Sequence, residues 1–148
     1  MIPQAGTLNL NQENMDVVCA LIVEGDKILG TRRAAGLTRA GKWEFPGGKV
    51  RQDELPEKAI IREIDEELGI QVAVVHRLPG IVHKYPDITI RLIPFICKIR
   101  QGDIRLTDHD EYSWIPVNKL FALDWSEADK NLILLIQEST EYLNGPIV

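Results

Sequence analysis

Three glutamates, Glu63, Glu66 and Glu67, lie in a stretch from Asp53 or Glu54 to Leu68 that reads as a helix, with Pro56 in its first turn and Gly69 at its stop. At about 100° per residue these carboxylates fall within an arc of ~100°, and Ile60, Ile61, Ile64 and Leu68 fall within a separate arc of similar width. One face is predicted to be core and the other anionic. Like charges at this spacing repel by ~0.2–0.5 kcal/mol per pair on an exposed helix, and a bound cation reverses that sign. Magnesium suits such a cluster because it prefers hard oxygen ligands, keeps several waters and accepts substrate phosphates as further ligands. Three glutamates alone also fit a helix face that simply meets water.

The neighbouring residues bear on that choice. Gly47 and Gly48 are read as ending a short strand, Trp43-Glu44-Phe45, just before the helix, where a backbone carbonyl could approach a metal with no side chain in the way. Arg62 can reach Glu66 at i+4 and orient a ligand carboxylate, with a surface salt bridge as the plainer alternative.

The elements that must position these groups follow from pattern and turn chemistry. Val17 to Val23 and Lys27 to Arg33 read as a hairpin around Glu24-Gly25-Asp26. Ala34 to Lys42 reads as a loop. After the helix, Ile70 to His83 and Ile88 to Ile99 are strand-rich and flank the turn Tyr85-Pro86-Asp87, and Tyr112 to Val117 adds a strand. Ser126 to Asn144 reads as a second helix, N-capped by Ser126, with Ile133, Ile136 and Leu143 on its apolar side. The order is β-rich, helix, β-rich, helix, which makes the fold class α/β, with a polar lead-in over residues 1–14 and one domain over residues 15–148.

Composition narrows the function classes. The 148 residues are 45% hydrophobic and 26% charged, near globular averages. No run is long and apolar enough for a membrane span, and the lead-in lacks the apolar core of an export signal, so a cytoplasmic protein is expected. A net charge of -5 disfavours a nucleic-acid polymer as partner. Cys19 and Cys97 sit in apolar runs and read as small buried hydrophobes. His76, His83 and His109 have no compact metal-binding spacing and read as incidental.

Gly48, five residues, Glu54, seven residues, then Arg62-Glu63-Ile64-Asp65-Glu66-Glu67-Leu68-Gly69-Ile70 reproduces, without departure, the signature of the Nudix hydrolases. Thr31-Arg32-Arg33-Ala34-Ala35, Trp43 to Lys49 and Asp124 to Asp129 resemble the MutT-like branch, so the resemblance covers most of the chain from Val17 onward. It implies a Nudix α/β/α sandwich with a mixed β-sheet. Magnesium, with manganese as a substitute, would be held by Glu63, Glu66, Glu67 and the Gly47 carbonyl, and Arg62 and Glu54 would support the site from behind. The implied reaction is hydrolysis of a nucleoside triphosphate to the monophosphate and pyrophosphate, with Glu63 as general base.

The same resemblance carries further expectations. An extra acidic metal ligand falls in the acidic loop Asp108-His109-Asp110-Glu111, with Asp108 the better match and Glu111 the longer side chain. Arg33, rather than Arg32, matches the position that contacts the phosphate nearest the sugar. Phe45 and Trp125 are candidates for an apolar wall beside the base or for plain core. Asp129 matches the position that reads the base, with a helix-start aspartate as the alternative. Ionised, Asp129 would only accept hydrogen bonds, which points to CTP and dCTP relatives or to oxidised dGTP. A hydrolase of another nucleoside diphosphate derivative such as ADP-ribose, and a non-catalytic nucleotide-binding module, are the competing readings. The expected state is monomer or homodimer.

Overall fold

β1 (Asn14–Glu24) is the strand on which the architecture is built. Its run Val18 to Val23 is apolar at every position because both faces are covered. Val18, Ala20 and Ile22 point into one core with helix α1 (Pro56–Leu68), and Cys19, Leu21 and Val23 point into the other with helix α2 (Glu127–Glu138). The computed structural model describes residues 14–138, so all of the lead-in but Asn14, and the second helix beyond Glu138 with Leu143, lie outside the described residues. The resulting α/β/α sandwich is the expected fold. Among the described residues no helix is long and apolar enough to cross a membrane.

The predicted hairpin exists but is short. β1 and β2 (Lys27–Arg33) pair only at Val23↔Ile28 and Glu24↔Lys27, and then part. β1 continues parallel to β7 (Thr89–Gln101), from Asn14↔Thr89 to Ile22↔Cys97. β2 carries β3 (Trp43–Glu44) and β8 (His109–Pro116) instead. β5 (Gln71–Arg77) and β6 (Ile81–Lys84) pair antiparallel with β7, making the sheet mixed, and the β6–β7 turn falls at Tyr85-Pro86-Asp87 as expected.

The chain from Trp43 to Lys49 bridges the gap between the diverging strands, and here the structure corrects the sequence reading. The glycines do not end one strand: β3 joins β2, and Gly47–Lys49 is a separate strand, β4, antiparallel to β1 at Val17, Val18 and Cys19. A Cβ on Gly47 would collide with the Val18 carbonyl oxygen and stand 2.7 Å from Cys19 Cα, so only glycine permits this approach.

α1 begins later than predicted. Asp53 adopts a left-handed φ of 62°, Leu55 is extended, as a residue before proline must be, and Pro56 opens the helix. The buried side also differs, because Ile61 is 39% exposed while Ala59 is fully buried with Ile60, Ile64 and Leu68. The helix is therefore rotated so that Glu63 and Glu67 turn toward the sheet and are half-buried. β8 starts earlier than predicted, at His109, and a 3-10 helix (Val117–Ala122) follows it.

Gly69 ends α1 at φ 68°, with its N–H donating to the Asp65 carbonyl at 2.9 Å. Gly69→Ala puts a Cβ in the left-handed region, 3.3 Å from Arg105 Nε. The expected cost is about 1 kcal/mol, read as a thermal midpoint lower by roughly 3–4 °C, and an unchanged midpoint would refute the strain at this cap.

Candidate active site

Arg62 organises the acidic face of α1. Its Nε and Nη2 donate to the two Glu54 oxygens at 2.8 and 2.9 Å, Nη1 donates to Glu63 at 2.6 Å, and Nη2 also reaches the Lys49 carbonyl at 3.0 Å. The predicted i+4 contact with Glu66 is the longest of the set at 3.4 Å, and Glu66 shares it with Arg51, also at 3.4 Å. Arg62 is thus chiefly a clamp between Glu54 and Glu63. Beside it, and with the Arg51 N–H, the Glu54 carboxyl is held down at about 2.

Glu67 has the opposite environment. Burial, then the charges of Glu44 and Glu63, push its carboxyl up to about 8, although the Gly47 N–H donates to it at 3.1 Å. Asp108 is among the charges acting on it, which puts that exposed residue beside the acidic face. Glu111 instead pairs with Arg32 at 3.1 Å, so Asp108 is the acid the fold brings toward Glu67. A Cβ on Gly48 would collide with the Glu63 carboxyl, so the second glycine is a cradle for that side chain.

Among the described residues no three His, Cys, Asp or Glu side chains converge at ligating distance as they stand. Glu63 and Glu66 are turned to Arg62. The donor set nevertheless fits a hard divalent cation: Glu63, Glu66 and Glu67 offer hard carboxylate oxygens on one helix face, and the glycine backbone beside them carries no side chain.

On the other side of Gly47 and Gly48 lies a cavity of about 230 Å³. Arg33, Glu44, Phe45 and Asp129 line it. Arg33 Nε donates to the Thr38 carbonyl at 2.6 Å and Nη1 to Glu44 at 3.3 Å, whereas Arg32 is spent on Asp110 and Glu111 at the surface. Of the two arginines, only Arg33 lines the cavity. Phe45 packs on Trp125 with ring centroids 4.6 Å apart. Phe45 reaches the cavity, but Trp125 is fully buried, bonded to the Leu120 carbonyl, and belongs to the core.

Asp129 is buried at the start of α2, where the Ser126 hydroxyl and the Phe45 N–H both donate to its carboxyl. Burial outweighs these bonds and raises it to about 7. The acceptor-only expectation therefore describes the ionised form alone: a carboxyl raised by burial takes up a proton more readily than a free one and, when protonated, can also donate.

Three lining or supporting residues escaped the sequence reading. Glu44 lies between buried Trp43 and Phe45, a pattern that marks it only as the outward side of a short extended segment. His109, read as incidental, is buried and bonded through Nε2 to Glu44 at 2.8 Å. Tyr85, read as a turn residue, lines the cavity and its hydroxyl accepts the Ala128 N–H at 3.1 Å.

Because the folded value of Asp129 lies above its ordinary 3.8, its contribution to stability is complete below about pH 4 and is lost as pH rises through about 7. Urea unfolding of the chain and of Asp129→Asn is expected to show the advantage of the unsubstituted chain shrinking by about 2–3 kcal/mol between pH 5 and pH 8. A constant difference would mean that Asp129 titrates normally.

With this geometry in hand, comparison with known proteins is informative. The model of the NUDIX domain matches residues 13–136. A putative 8-oxo-dGTP diphosphatase 2 of Mycobacterium tuberculosis is 34% identical over 123 residues, covering 81% of this chain and 86% of that protein. The CTP pyrophosphohydrolase of Escherichia coli is 31% identical over 119 residues, covering 80% and 88%. The crystal structure of a MutT protein from Methanosarcina mazei Go1 superposes with a TM-score of 0.79 at 26% identity, covering 88% of this chain and 98% of that one. The chain belongs to the Nudix hydrolases, in their MutT-like branch.

Proposed function

We propose that this chain hydrolyses a (deoxy)nucleoside 5′-triphosphate of the CTP/dCTP or oxidised dGTP type to the monophosphate and pyrophosphate, with magnesium or, in its place, manganese. The observation that carries this reading is the position of Gly47 and Gly48 between two chemistries. An acidic helix face lies against them on one side, and on the other a cavity runs from Arg33 to Asp129. A substrate with polyphosphate at one end and a base at the other matches that polarity. The names of two relatives, an 8-oxo-dGTP diphosphatase and a CTP pyrophosphohydrolase, support the two substrate groups.

Glu63, Glu66, Glu67 and the Gly47 carbonyl would hold the metal, with Asp108 adjoining. When bound, magnesium neutralises phosphate charge and polarises the reacting phosphorus. The chain's own residues do the rest. Glu63 takes the proton from the attacking water as the P–O bond between the α and β phosphates breaks and pyrophosphate departs. Arg62 keeps Glu54 and the Lys49 carbonyl as partners, so Glu63 can turn from it without stranding a buried charge. Arg33 meets the phosphate nearest the sugar, Phe45 walls the base, and Asp129 reads its polar edge. A carboxyl poised near 7 accepts from an amino group and, when protonated, donates to a carbonyl, which suits a modified guanine as well as cytosine. The reading needs no nucleic-acid polymer or membrane, and it fits a cytoplasmic monomer or homodimer.

The test is product analysis with magnesium on CTP, dCTP, 5-methyl-dCTP, dGTP, 8-oxo-dGTP and ADP-ribose. Monophosphate plus pyrophosphate is expected, and Glu63→Gln should lower kcat by about 10²–10⁴-fold with little change in KM. Release of orthophosphate would put the cleavage at another bond. Activity on ADP-ribose alone would move the enzyme to a different substrate class, and near-normal kcat in Glu63→Gln would remove Glu63 from its role.

A further inference from the structure

We propose that Glu44 is a positioning residue of this site: seated by buried His109, it aims the Arg33 guanidinium at the phosphate end of the cavity. The inference rests on reading the cavity as a nucleotide site. Glu44 Oε2 is shared by His109 Nε2 at 2.8 Å and Arg33 Nη1 at 3.3 Å, and the Glu44 backbone is pinned by the Thr31 hydroxyl, which donates to its carbonyl at 2.9 Å. A carboxylate only accepts, so the Nε2 of His109 carries the proton in this contact. With Nε on the Thr38 carbonyl and Nη1 on Glu44, the guanidinium fork has a set direction before any substrate arrives.

A β-bulge creates the arrangement. Arg32 stands opposite Glu111 and Arg33 opposite His109, which makes Asp110 the extra residue of β8. The bulge gives both acids to Arg32 at the surface and brings the histidine to Arg33 on the inner side. His109 has a fully covered side chain, and its Nδ1 is the buried polar side-chain atom without a hydrogen-bond partner among the described residues. The hydrogen bond that offsets the cost of burying this imidazole is the one to Glu44.

A double-mutant cycle tests this, using the triphosphate that the unsubstituted chain turns over best. His109→Leu is expected to raise KM about tenfold in the otherwise native chain and less than about twofold in an Arg33→Ala background, because the histidine acts through the arginine. His109→Gln, which keeps a donor, should recover most of the loss. The same factor in both backgrounds would overturn the proposal, since a purely structural histidine has no reason to depend on Arg33. Should His109→Leu fail to fold, Glu44→Gln in the same two backgrounds asks the same question with no change of volume. An unsubstituted chain that hydrolyses no triphosphate would remove the functional reading and this inference together. Normal turnover with additive effects would remove this inference alone.

Discussion

The close approach of the Gly47–Gly48 backbone to its surroundings is the constraint on which the rest depends. One glycine lies against β1 where a Cβ would strike the Val18 carbonyl, and the next lies against the Glu63 carboxyl where a Cβ would strike the acid itself. Without side chains, a backbone strand serves as a thin partition between an acidic helix and a cavity. A larger residue at Gly47 would force β4 away from the β1 backbone, and one at Gly48 would displace the Glu63 carboxyl. The fold thus sets the acidic face of α1 and the cavity lined by Arg33, Phe45 and Asp129 on the two sides of one glycine strand.

That placement concentrates negative charge, and the fold tolerates it in three different ways. Arg62 neutralises Glu54 and Glu63 directly, with a bidentate grip whose geometry also fixes the helix against the strand before it. Arg33 and His109 hold Glu44. Among the described residues neither Glu67 nor Asp129 forms an ion pair with a lysine or arginine, and both are driven toward the protonated form by burial, with Glu44 adding to the shift of each. A divalent cation at the acidic face would relieve the first of these, because it would bind the charged form of the carboxylate.

Much of the site was legible because its chemistry depends on spacing along one helix. Carboxylates at i, i+3 and i+4 share a face whatever the helix packs against, and Pro56 and Gly69 mark its ends by backbone rules that are local. The hairpin turns at Gly25 and at Tyr85-Pro86-Asp87 were equally readable. Periodicity was less reliable for depth. It placed Ile61 in the core and left open whether the glutamate face meets water, whereas the structure exposes Ile61 and half-buries Glu63 and Glu67. Glu44 and His109 are 65 residues apart, and no local pattern announces that they meet.

What the sequence determined by itself is the set of groups whose relation is fixed by short-range geometry: the carboxylates Glu63, Glu66 and Glu67 on one helix face and the Pro56 and Gly69 ends of that helix. The pairing of β1 with β2, β4 and β7, the bulge that turns His109 inward, the separation of Arg33 from Arg32, and the burial that brings Asp129 to about 7 were decided by tertiary structure alone. Register, bulges and desolvation are set by what a strand or side chain meets across space, and that partner is chosen only when the sheet closes.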